Sequence, residues 1–432
     1  MSVQIVVPTV ASSSKSRWRI STFWVLLIGY IGYYLCRANL SAAFPLLSKE
    51  FNFTNSQLGL IAMYSELVYA VGKFINGPLG DRIGAKKIFL LGMFGAIVSN
   101  LAFSQGTTLG YFIVTWCVCR YFLSMGWGGV VKAAGAWYPP ERNGTIMGII
   151  SINFQLGGAI AAIYSGYLVS QGATWDKLFI YPALILMLIM IASFFAMKSG
   201  PEDLESNSKP QLHGKKIESE LSQEKTYEVL IRLFKIRMFK HLLIFSFLTT
   251  FLRSMFLFWI AKFFTDMGMK DSSAMINSSV FPLVGCVGTF LLGWYTDHYS
   301  KNGDRTRAIF TMLILLAVSL FLVAALVQLN LAFAHPNWMI VLIGLCGFFL
   351  LGPYSMSSGC LTLDIAGARS AATAAGWIDG VGYLGGAIAV WGTGVLADHL
   401  GWGEVFIILG FFALASAFSA LVMGTAKSEK AK

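Results

Sequence analysis

The amino-acid sequence predicts an all-α membrane protein of twelve transmembrane helices, arranged as two pseudo-symmetric halves of six helices each. Three observations support this fold class. The hydrophobic share of the 432 residues is 56% and the charged share is 12%, apolar stretches of spanning length recur, and the two halves of the chain repeat each other. Soluble domains carry roughly 25% charged residues, so this composition is typical of a chain that lies in a lipid bilayer.

Twelve apolar stretches follow one another from Ile20 to the C-terminal region, with short polar breaks between them. Each is close to the length, about 20 residues, that crosses roughly 30 Å of hydrocarbon as a helix. The predicted spans cover residues 20–46, 57–80, 86–106, 109–133, 144–170, 178–197, 240–268, 275–297, 307–329, 336–362, 370–398 and 403–424.

Lysine and arginine positions predict how the chain is threaded through the membrane. Loops on the cytoplasmic side retain these residues, and most of the 32 fall in loops that share a side with the N-terminus. The opposite loops contain Lys49, Lys177 and Lys270. We therefore expect a multi-pass integral membrane protein with both termini in the cytoplasm, in the inner membrane of a bacterium. The net charge of +11 then reflects topology and contact with anionic lipid headgroups, and we expect no binding to nucleic acid.

The longest polar segment divides the predicted spans six and six. It is rich in Lys, Glu, Ser and Gln, which is typical of a solvated linker. We predict an N-terminal half over residues 1–197, a cytoplasmic linker over residues 198–239 and a C-terminal half over residues 240–432. Because one chain supplies both halves, we expect it to function as a monomer.

The two halves repeat each other in sequence. The motif GPLGDRIGAKK after the second span corresponds to GWYTDHYSKNGDRTR after the eighth, which aligns Asp81 with Asp297. At the same offset Arg37 aligns with Arg253, and the segment LGGAI occurs once in each half. Parallel repeats of this kind are the architecture of major facilitator carriers, which bind substrate near the midplane between the halves.

Two loop motifs resemble signatures of the same superfamily. Residues 77–87 match the pattern Gly-x-x-x-Asp-Arg-x-Gly-x-Lys-Lys, and residues 137–144 read WYPPERNG. An aspartate at a helix end can pair with basic residues of a neighbouring helix and latch the inner gate, whereas the alternative is that these charges only set the topology. The candidate gating residues are Asp81, Arg82, Glu141, Arg142 and Asp297.

Five basic residues lie inside predicted spans, where each costs about 2.5–3.5 kcal/mol at a helix centre on insertion scales. Such residues usually face a cavity or a partner, so they are candidates for a polar site within the membrane. They are Arg37, Lys73, Arg120, Arg253 and Lys262.

Three of these residues have alternative interpretations. Helical periodicity places Lys73 on one face with Tyr69 and Glu66, so Lys73 forms an internal ion pair with Glu66, contacts the substrate, or does both. Arg120 is either a charge at a conformational hinge or a cavity cation. For Lys262, which lies near the outer end of its span, we expect snorkelling toward the membrane surface.

The remaining two arginines give the most specific chemical prediction. Arg37 and Arg253 have no acidic residue within two turns on their own helices. Two guanidinium groups facing each other suit a dianionic phosphate, since each offers a planar fork for bidentate hydrogen bonds to oxyanions. The hydroxyls of Tyr30 and Tyr34, which share a helical face with Arg37, can add neutral donors.

Five segments together resemble the organophosphate:phosphate antiporter family of glycerol-3-phosphate, hexose-6-phosphate and phosphoglycerate carriers: GYIGYYLCRANLSAAFP, GKFINGPLGDR, MGWGG, FLRSMFLFW and GYLGG. The resemblance extends from about Trp18 to the last span. It implies phosphate binding by Arg37 and Arg253, which stand where that family has the arginines of its first and seventh helices. It also implies a place near the site for Lys73, Tyr30, Tyr34, Tyr69 and Tyr383.

Departures from that family concern the organic part of the substrate. Phe154 stands where the glycerol-3-phosphate carrier has a histidine, with Asn153 beside it. Arg120 and Asp379 lack counterparts in that carrier. Asp379 can bind a sugar hydroxyl, pair with a cavity cation or serve a structural role. We include Arg120, Asn153, Phe154 and Asp379 among the candidate substrate-binding residues.

The predicted function is exchange of an organic phosphate ester for inorganic phosphate by alternating access, in a carrier rather than an enzyme. One alternative is proton-coupled symport of an organic anion, with Glu66 or Asp379 as the protonated group. The other is sensing of sugar phosphates without transport. The six cysteines lie within predicted spans and the five histidines are scattered, so we expect neither a metal site nor a cofactor.

Overall fold

The computed structural model describes residues 10–138, 140–204, 226–299, 305–331, 336–357 and 360–430. Within these ranges the side chains of residues 140–152 and 362–373, and of several residues near helix ends, are not described. The described residues form fifteen α-helices, most of them joined by short turns.

Seven helices belong to each half, and one lies between the halves. Those of the N-terminal half are α1 (Val10–Phe51), α2 (Asn55–Ile83), α3 (Ala85–Phe103), α4 (Leu109–Leu123), α5 (Met125–Trp137), α6 (Pro140–Ser170) and α7 (Lys177–Ala196). The connecting helix is α8 (Thr226–Lys235). Those of the C-terminal half are α9 (Arg237–Asp266), α10 (Asp271–Ser278), α11 (Val280–Tyr299), α12 (Thr306–Gln328), α13 (Pro336–Ser357), α14 (Cys360–His399) and α15 (Trp402–Lys430).

Among the described residues, eleven helical segments have the length and mean hydropathy to cross a membrane. Two of them are built from consecutive helices, α4 with α5 over Leu109–Trp137 and α10 with α11 over Asp271–Thr296. The twelfth predicted span, 144–170, lies on α6, a helix of 31 residues. At 1.5 Å per residue such a helix is about 46 Å long, which is enough to cross the hydrocarbon. The predicted all-α fold with twelve spans is thereby confirmed.

Helix packing repeats between the halves. The first long helix of each half packs against the last two, α1 against α6 and α7, and α9 against α14 and α15. The second spans pack against the fourth, α2 against α4 and α11 against α13. The third spans pack against the sixth, α3 against α7 and α12 against α15. The sequence repeat is therefore also a repeat of helix contacts, as two pseudo-symmetric halves require.

The segment predicted as a solvated linker is partly helical. In α8 the side chain of Leu233 is 1% exposed, and the Phe234 ring lies 5.7 Å from the Trp377 ring of α14. An apolar stripe on a short helix needs a surface to bury it. The last part of the linker therefore packs on the C-terminal half.

The N-terminus of α2 is held from both halves. Thr54 and Gln57 form a capping box, in which each side chain accepts a hydrogen bond from the backbone N–H of the other residue. Across the interface, the carboxylate of Asp398 in α14 accepts from the backbone N–H groups of Asn55 (3.1 Å) and Ser56 (2.6 Å). A negative charge there also complements the positive end of the helix dipole.

Further contacts at the same end join the two halves. Lys49 of α1 pairs with Asp271 of α10 at 2.6 Å. A Cβ on Gly394 would lie 2.4 Å from the carbonyl oxygen of Asn55, so the backbones of α14 and α2 approach closely there. We call this end of the bundle, where Lys49, Asn55 and Asp398 lie, the closed end.

A buried amide network fixes the rotation of α1. Asn39 is fully buried, and its amide group donates hydrogen bonds to Asn100 Oδ1 at 2.7 Å and to the Leu178 carbonyl at 3.2 Å. Both partners belong to the interior of the N-terminal half. Because residues two apart on a helix point to nearly opposite sides, Arg37 faces the other way, toward the C-terminal half.

A tight crossing fixes the position of α2. Ser124 separates α4 from α5, and a Cβ on Gly72 would lie 2.5 Å from the Ser124 Oγ. The same Oγ accepts a hydrogen bond from Asn76 at 2.7 Å. Glycine permits this approach, which holds the part of α2 that carries Tyr69 and Lys73.

Candidate substrate-binding site

A cavity of about 60 Å³ lies between the two halves. Residues of α1, α2, α4 and α6 form its wall on the N-terminal side, and residues of α9, α11, α13 and α14 form the opposite wall. This is the place that the repeat predicted for a site. The predicted substrate-binding residues in its lining are Tyr34, Arg37, Arg120, Phe154, Arg253 and Tyr383.

Arg37 is supported by two tyrosines. Its Nη1 donates a hydrogen bond to the Tyr69 hydroxyl at 3.1 Å. The guanidinium also lies 4.7 Å from the centre of the Tyr69 ring and 5.3 Å from the centre of the Tyr34 ring. Aromatic faces attract a cation without neutralising it, so the positive charge of Arg37 remains available to the cavity.

Arg253 has a similar aromatic setting in the other half. It is 7% exposed, and its guanidinium lies 4.6 Å from the Tyr354 ring and 5.9 Å from the Phe154 ring. Phe154 belongs to α6, so Arg253 contacts a residue across the interface. Tyr354 was not among the predicted substrate-binding residues, because a single tyrosine beside Pro353 in an apolar span does not by itself indicate a binding site.

The two arginines share an electrostatic property. Among the residues that the structure describes, no salt bridge reaches either Arg37 or Arg253. A guanidinium group keeps its proton in proteins. Two positive charges at matching positions of the repeat therefore lie at one cavity without a carboxylate partner in the described part of the chain.

Lys73 and Asp379 form a bridge between the halves. The Lys73 Nζ lies 3.8 Å from Asp379 Oδ2, and these side chains are 27% and 41% exposed. Lys73 also lies 4.7 Å from the centre of the Tyr383 ring, which is 5.2 Å from the Tyr69 ring. Of the three interpretations of Asp379, pairing with a cation at the cavity is the one that the structure supports.

Glu66 pairs with Arg120 rather than with Lys73. The carboxylate of Glu66 and the guanidinium of Arg120 form a buried ion pair, with exposures of 3% and 1% for the two residues. The predicted ion pair of Lys73 with Glu66 is therefore wrong, because the two residues lie two turns apart on α2, where Glu66 meets Arg120 of α4 and Lys73 meets Asp379 of α14. Arg120 also lies 4.4 Å from the centre of the Tyr69 ring.

Lys262 also has a carboxylate partner. It pairs with Asp266, one turn further along α9, and the two side chains are 11% and 26% exposed. Asp266 in turn accepts a hydrogen bond from Trp402 at 3.0 Å. Asp266 is the last residue of α9, so the ammonium group of Lys262 points toward the predicted outer end of its span, and snorkelling to the membrane surface stays a prediction.

Five of the predicted residues are not in the cavity lining: Tyr69, Lys73 and Asp379, described above, and Tyr30 and Asn153. Tyr30 is 6% exposed and packs against Tyr34 and Trp127, with ring centres 5.5 and 5.4 Å away. Asn153 is 2% exposed and donates a hydrogen bond to the Leu27 carbonyl at 3.2 Å. Tyr30 therefore packs against Tyr34, which lines the cavity, and the hydrogen bond of Asn153 links α6 to α1.

The predicted gate lies mostly outside the described side chains. Those of Asp81, Glu141, Arg142 and Asp297 are not among them, so their gating role stays a prediction. Arg82 is exposed near the end of α2. Close to it, Lys132 of α5 donates a hydrogen bond to the Gly80 carbonyl at 2.8 Å, and Gly84 ends the helix with a φ of +91°.

Comparison with known proteins identifies the family. The family model described as Major Facilitator Superfamily matches residues 26–390 and 242–432, which together include most of the chain. The chain belongs to the major facilitator superfamily. Membership agrees with the parallel repeat, the helix contacts and the cavity between the halves.

Several curated proteins are similar to this chain over more than three quarters of their length. The glycerol-3-phosphate transporter of Bacillus subtilis (strain 168) is 28% identical over 430 residues, which cover 96% of this chain and 94% of that protein. The probable hexose phosphate transport protein of Chlamydia pneumoniae is 26% identical over 428 residues, with coverages of 94% and 90%. A glucose-6-phosphate exchanger of Bos taurus is 26% identical over 392 residues, with coverages of 82% and 77%.

Solved structures support the fold. A bacterial homologue of the human lysosomal transporter Spinster, in an inward-facing and unoccupied conformation, matches with a TM-score of 0.76 at 16% identity, covering 95% of this chain and 97% of that one. A D-xylose–proton symporter matches with a TM-score of 0.73 at 14% identity, with coverages of 93% and 97%. The resemblance predicted from the five segments is thereby confirmed, and this major facilitator protein is a multi-pass membrane transporter rather than an enzyme.

Proposed function

We propose that this transporter exchanges an organic phosphate ester for inorganic phosphate by alternating access. One observation carries the proposal: Arg37 and Arg253, at matching positions of the two halves, line the same cavity and have no salt-bridge partner among the described residues. The curated relatives, which include transporters of glycerol 3-phosphate and of hexose phosphate, support the same substrate class.

The balance of charge at the cavity fits a phosphate group. Arg120 is neutralised by Glu66 and Lys73 by Asp379. Among the described residues that line the cavity, the remaining positive charges are those of Arg37 and Arg253. A phosphate monoester carries about −1.5 to −2 at pH 7. Because a guanidinium offers a planar fork of donors, each arginine can bind two oxygens of one phosphate.

The same two charges explain why transport is exchange. Rocking of the halves buries the cavity contents, and burying two like charges without a partner is costly. A bound phosphate group removes this cost whether it is inorganic phosphate or part of an ester. The loaded carrier therefore crosses readily and the empty carrier does not, which couples the movement of one substrate to the return of the other.

The contacts between the halves favour an inward-facing state. In the predicted topology, with both termini in the cytoplasm, the closed end faces outward. On the other side of the cavity the side chain of Asp379 is 41% exposed, which requires water because an ionised group in hydrocarbon is expensive. We therefore place the open mouth of the cavity on the cytoplasmic side of a bacterial inner membrane.

The two alternatives have less support. A proton symporter needs a carboxylate that gains and loses a proton, but Glu66 and Asp379 are both already paired with basic side chains. A sensor binds sugar phosphates without moving them across the bilayer. The transport assay described below tests this alternative, because a sensor would not exchange phosphate. A single chain supplies both arginines, which supports a functional monomer.

Reconstitution tests the proposal. Proteoliposomes are loaded with inorganic phosphate or with an inert buffer, and uptake of labelled phosphate is followed at equal pH on both sides. We expect rapid uptake only in the phosphate-loaded vesicles, and release of the label when glycerol 3-phosphate or a hexose 6-phosphate is added outside. Equal uptake in both preparations would contradict exchange, and uptake that follows an imposed pH gradient in buffer-loaded vesicles would establish symport.

A further inference from the structure

We infer that Glu66 and Arg120 form a hydroxyl-recognition site in the wall of the cavity, so that the organic part of the substrate is a hydroxylated group and not a carboxylated one. The inference rests on the proposed function, because it concerns the part of the substrate that Arg37 and Arg253 leave free. It assigns Glu66 a role in specificity and narrows the substrates to phosphate esters of polyols and sugars.

Both side chains line the cavity although they are almost fully buried. Glu66 projects from α2 and Arg120 from α4, and their exposures are 3% and 1%. A residue with so little exposed surface that still lines a cavity presents that surface to the cavity contents. Arg120 and Glu66 can therefore contact a molecule bound in the cavity directly.

The ion pair leaves hydrogen-bonding capacity unused on both partners. Arg120 binds Glu66 through Nη2 and Oε1, whereas the buried Nε of Arg120 has no hydrogen-bond partner among the described residues. A carboxylate offers about four acceptor positions, so Glu66 can accept a further donor beside Arg120. A buried donor without a partner is destabilising, and an ion pair with only a structural role gains nothing by keeping one.

A hydroxyl group is the chemical complement of this pair. It can donate its proton to the Glu66 carboxylate and accept a hydrogen bond from Arg120, which an oxyanion cannot do because it has no proton to donate. A carboxylate on the substrate would instead lie beside the negative charge of Glu66 in a water-poor cavity, where like charges repel strongly. The pair therefore favours hydroxylated phosphate esters over phosphoglycerates.

The position of the pair also suits a second contact with the same small molecule. Tyr69 contacts both the pair and the proposed phosphate site, since its hydroxyl accepts a hydrogen bond from Arg37 at 3.1 Å and its ring lies 4.4 Å from the Arg120 guanidinium. Arg37, Glu66 and Arg120 also line the same cavity. A molecule whose phosphate binds Arg37 can therefore present a hydroxyl group to the pair.

The first test uses the unmodified protein. Exchange of labelled for unlabelled phosphate is measured in proteoliposomes with hexose 6-phosphate, its singly deoxygenated analogues, glycerol 3-phosphate and 3-phosphoglycerate as competitors. We expect at least one deoxygenated analogue to compete about tenfold or more weakly than the hexose 6-phosphate, because it leaves a buried polar group unpaired. We expect the same of 3-phosphoglycerate, because its carboxylate is repelled by Glu66. Equal competition by all of them overturns the inference.

The second test links the lost hydroxyl to Glu66. In Glu66→Gln the sensitive deoxygenated analogue should compete within about twofold of its parent sugar phosphate, with both competitors compared by the fraction of that variant's own phosphate exchange that they inhibit. The matched control is Glu404→Gln, the same chemical change in a side chain near the closed end that contacts Gln328, and it should keep the full discrimination. If Glu66→Gln does not fold, the competitor series on the unmodified protein still decides.

The outcomes separate this inference from the proposed function. Absence of phosphate exchange in the unmodified protein overturns both. Phosphate exchange without discrimination among the competitors overturns only the hydroxyl site and leaves the two arginines as a phosphate site. Discrimination that persists unchanged in Glu66→Gln shows that other side chains recognise the hydroxyl.

Discussion

The two halves meet in two regions, the closed end and the cavity, which differ in whether their charged groups are paired. At the closed end two acidic groups of the C-terminal half have partners in the N-terminal half: Asp271 pairs with Lys49, and Asp398 accepts hydrogen bonds from the backbone of α2. At the cavity, Arg37 and Arg253 have no carboxylate partner among the described residues. The difference indicates that the charges named at the closed end are balanced within the protein, whereas those of Arg37 and Arg253 need a bound anion to balance them.

Replacing either cavity arginine should have the largest effect. Arg37→Lys and Arg253→Lys keep the charge but lose the planar fork that binds two phosphate oxygens, so we expect phosphate exchange to fall by about 100-fold or more, equivalent to about 2.7 kcal/mol. The measurement is the initial rate of exchange in proteoliposomes with equal amounts of protein. Arg307→Lys, at an exposed position of α12, is the control, and normal exchange by either cavity variant would show that the two-arginine site is wrong.

Weakening the helix cap at the closed end should have an intermediate effect. Asp398→Asn removes the charge that complements the N-terminus of α2, which at an exposed site is worth about 1 kcal/mol, or about fivefold in an equilibrium. We expect the population with this end open to rise by that factor. Spin labels at Thr107 and Asn330, exposed in loops of opposite halves, report the distance between the halves.

Asp176→Asn is the matched control for that experiment. Asp176 lies in a loop of the N-terminal half and interacts with Thr174 and Lys177 of the same half. Its loss should leave the distance distribution between the labels unchanged. A shift of equal size in both variants would mean that the cap of Asp398 does not hold the halves together.

The smallest effect is expected for the exposed ion pair. The side chain of Lys49 is 61% exposed, and ion pairs in contact with solvent contribute about 0.2–1 kcal/mol. Lys49→Gln should therefore open the closed end by about twofold at low salt, with no difference from the unmodified protein in about 1 M salt. Lys177→Gln, which removes an ion pair within one half, is the control, and an effect of Lys49→Gln that persists at high salt would refute a purely electrostatic role.

The sequence was informative about the fold because spans and repeats are local properties. A run of about 20 apolar residues predicts a spanning helix wherever it lies, and the shared offset of Arg37 and Arg253 predicted that they belong to equivalent helices. The structure then places both arginines at one cavity. The break at Ser124 within the fourth span was not predicted, because it depends on the approach of α2 at Gly72.

Partner choice could not be predicted, since it depends on which helices become neighbours. Spacing on α2 suggested Lys73 as the partner of Glu66, but packing of α4 against α2 brings Arg120 closer. Asn153 has a polar side chain that could bind a substrate, yet it donates its hydrogen bond to a backbone carbonyl of the neighbouring α1. Asp398 caps a helix that begins 343 residues earlier, a contact without any sequence signal.

Tyr69 touches three of the four basic side chains around the cavity. Arg37 donates a hydrogen bond to its hydroxyl, and Arg120 and Lys73 lie 4.4 and 5.4 Å from the centre of its ring. All four residues belong to the N-terminal half, so they move together when the halves rock. In the proposed alternating access the N-terminal half therefore moves Tyr69 and its three basic partners as one unit, whereas Arg253 and Asp379, which belong to the other half, change their distances from that unit.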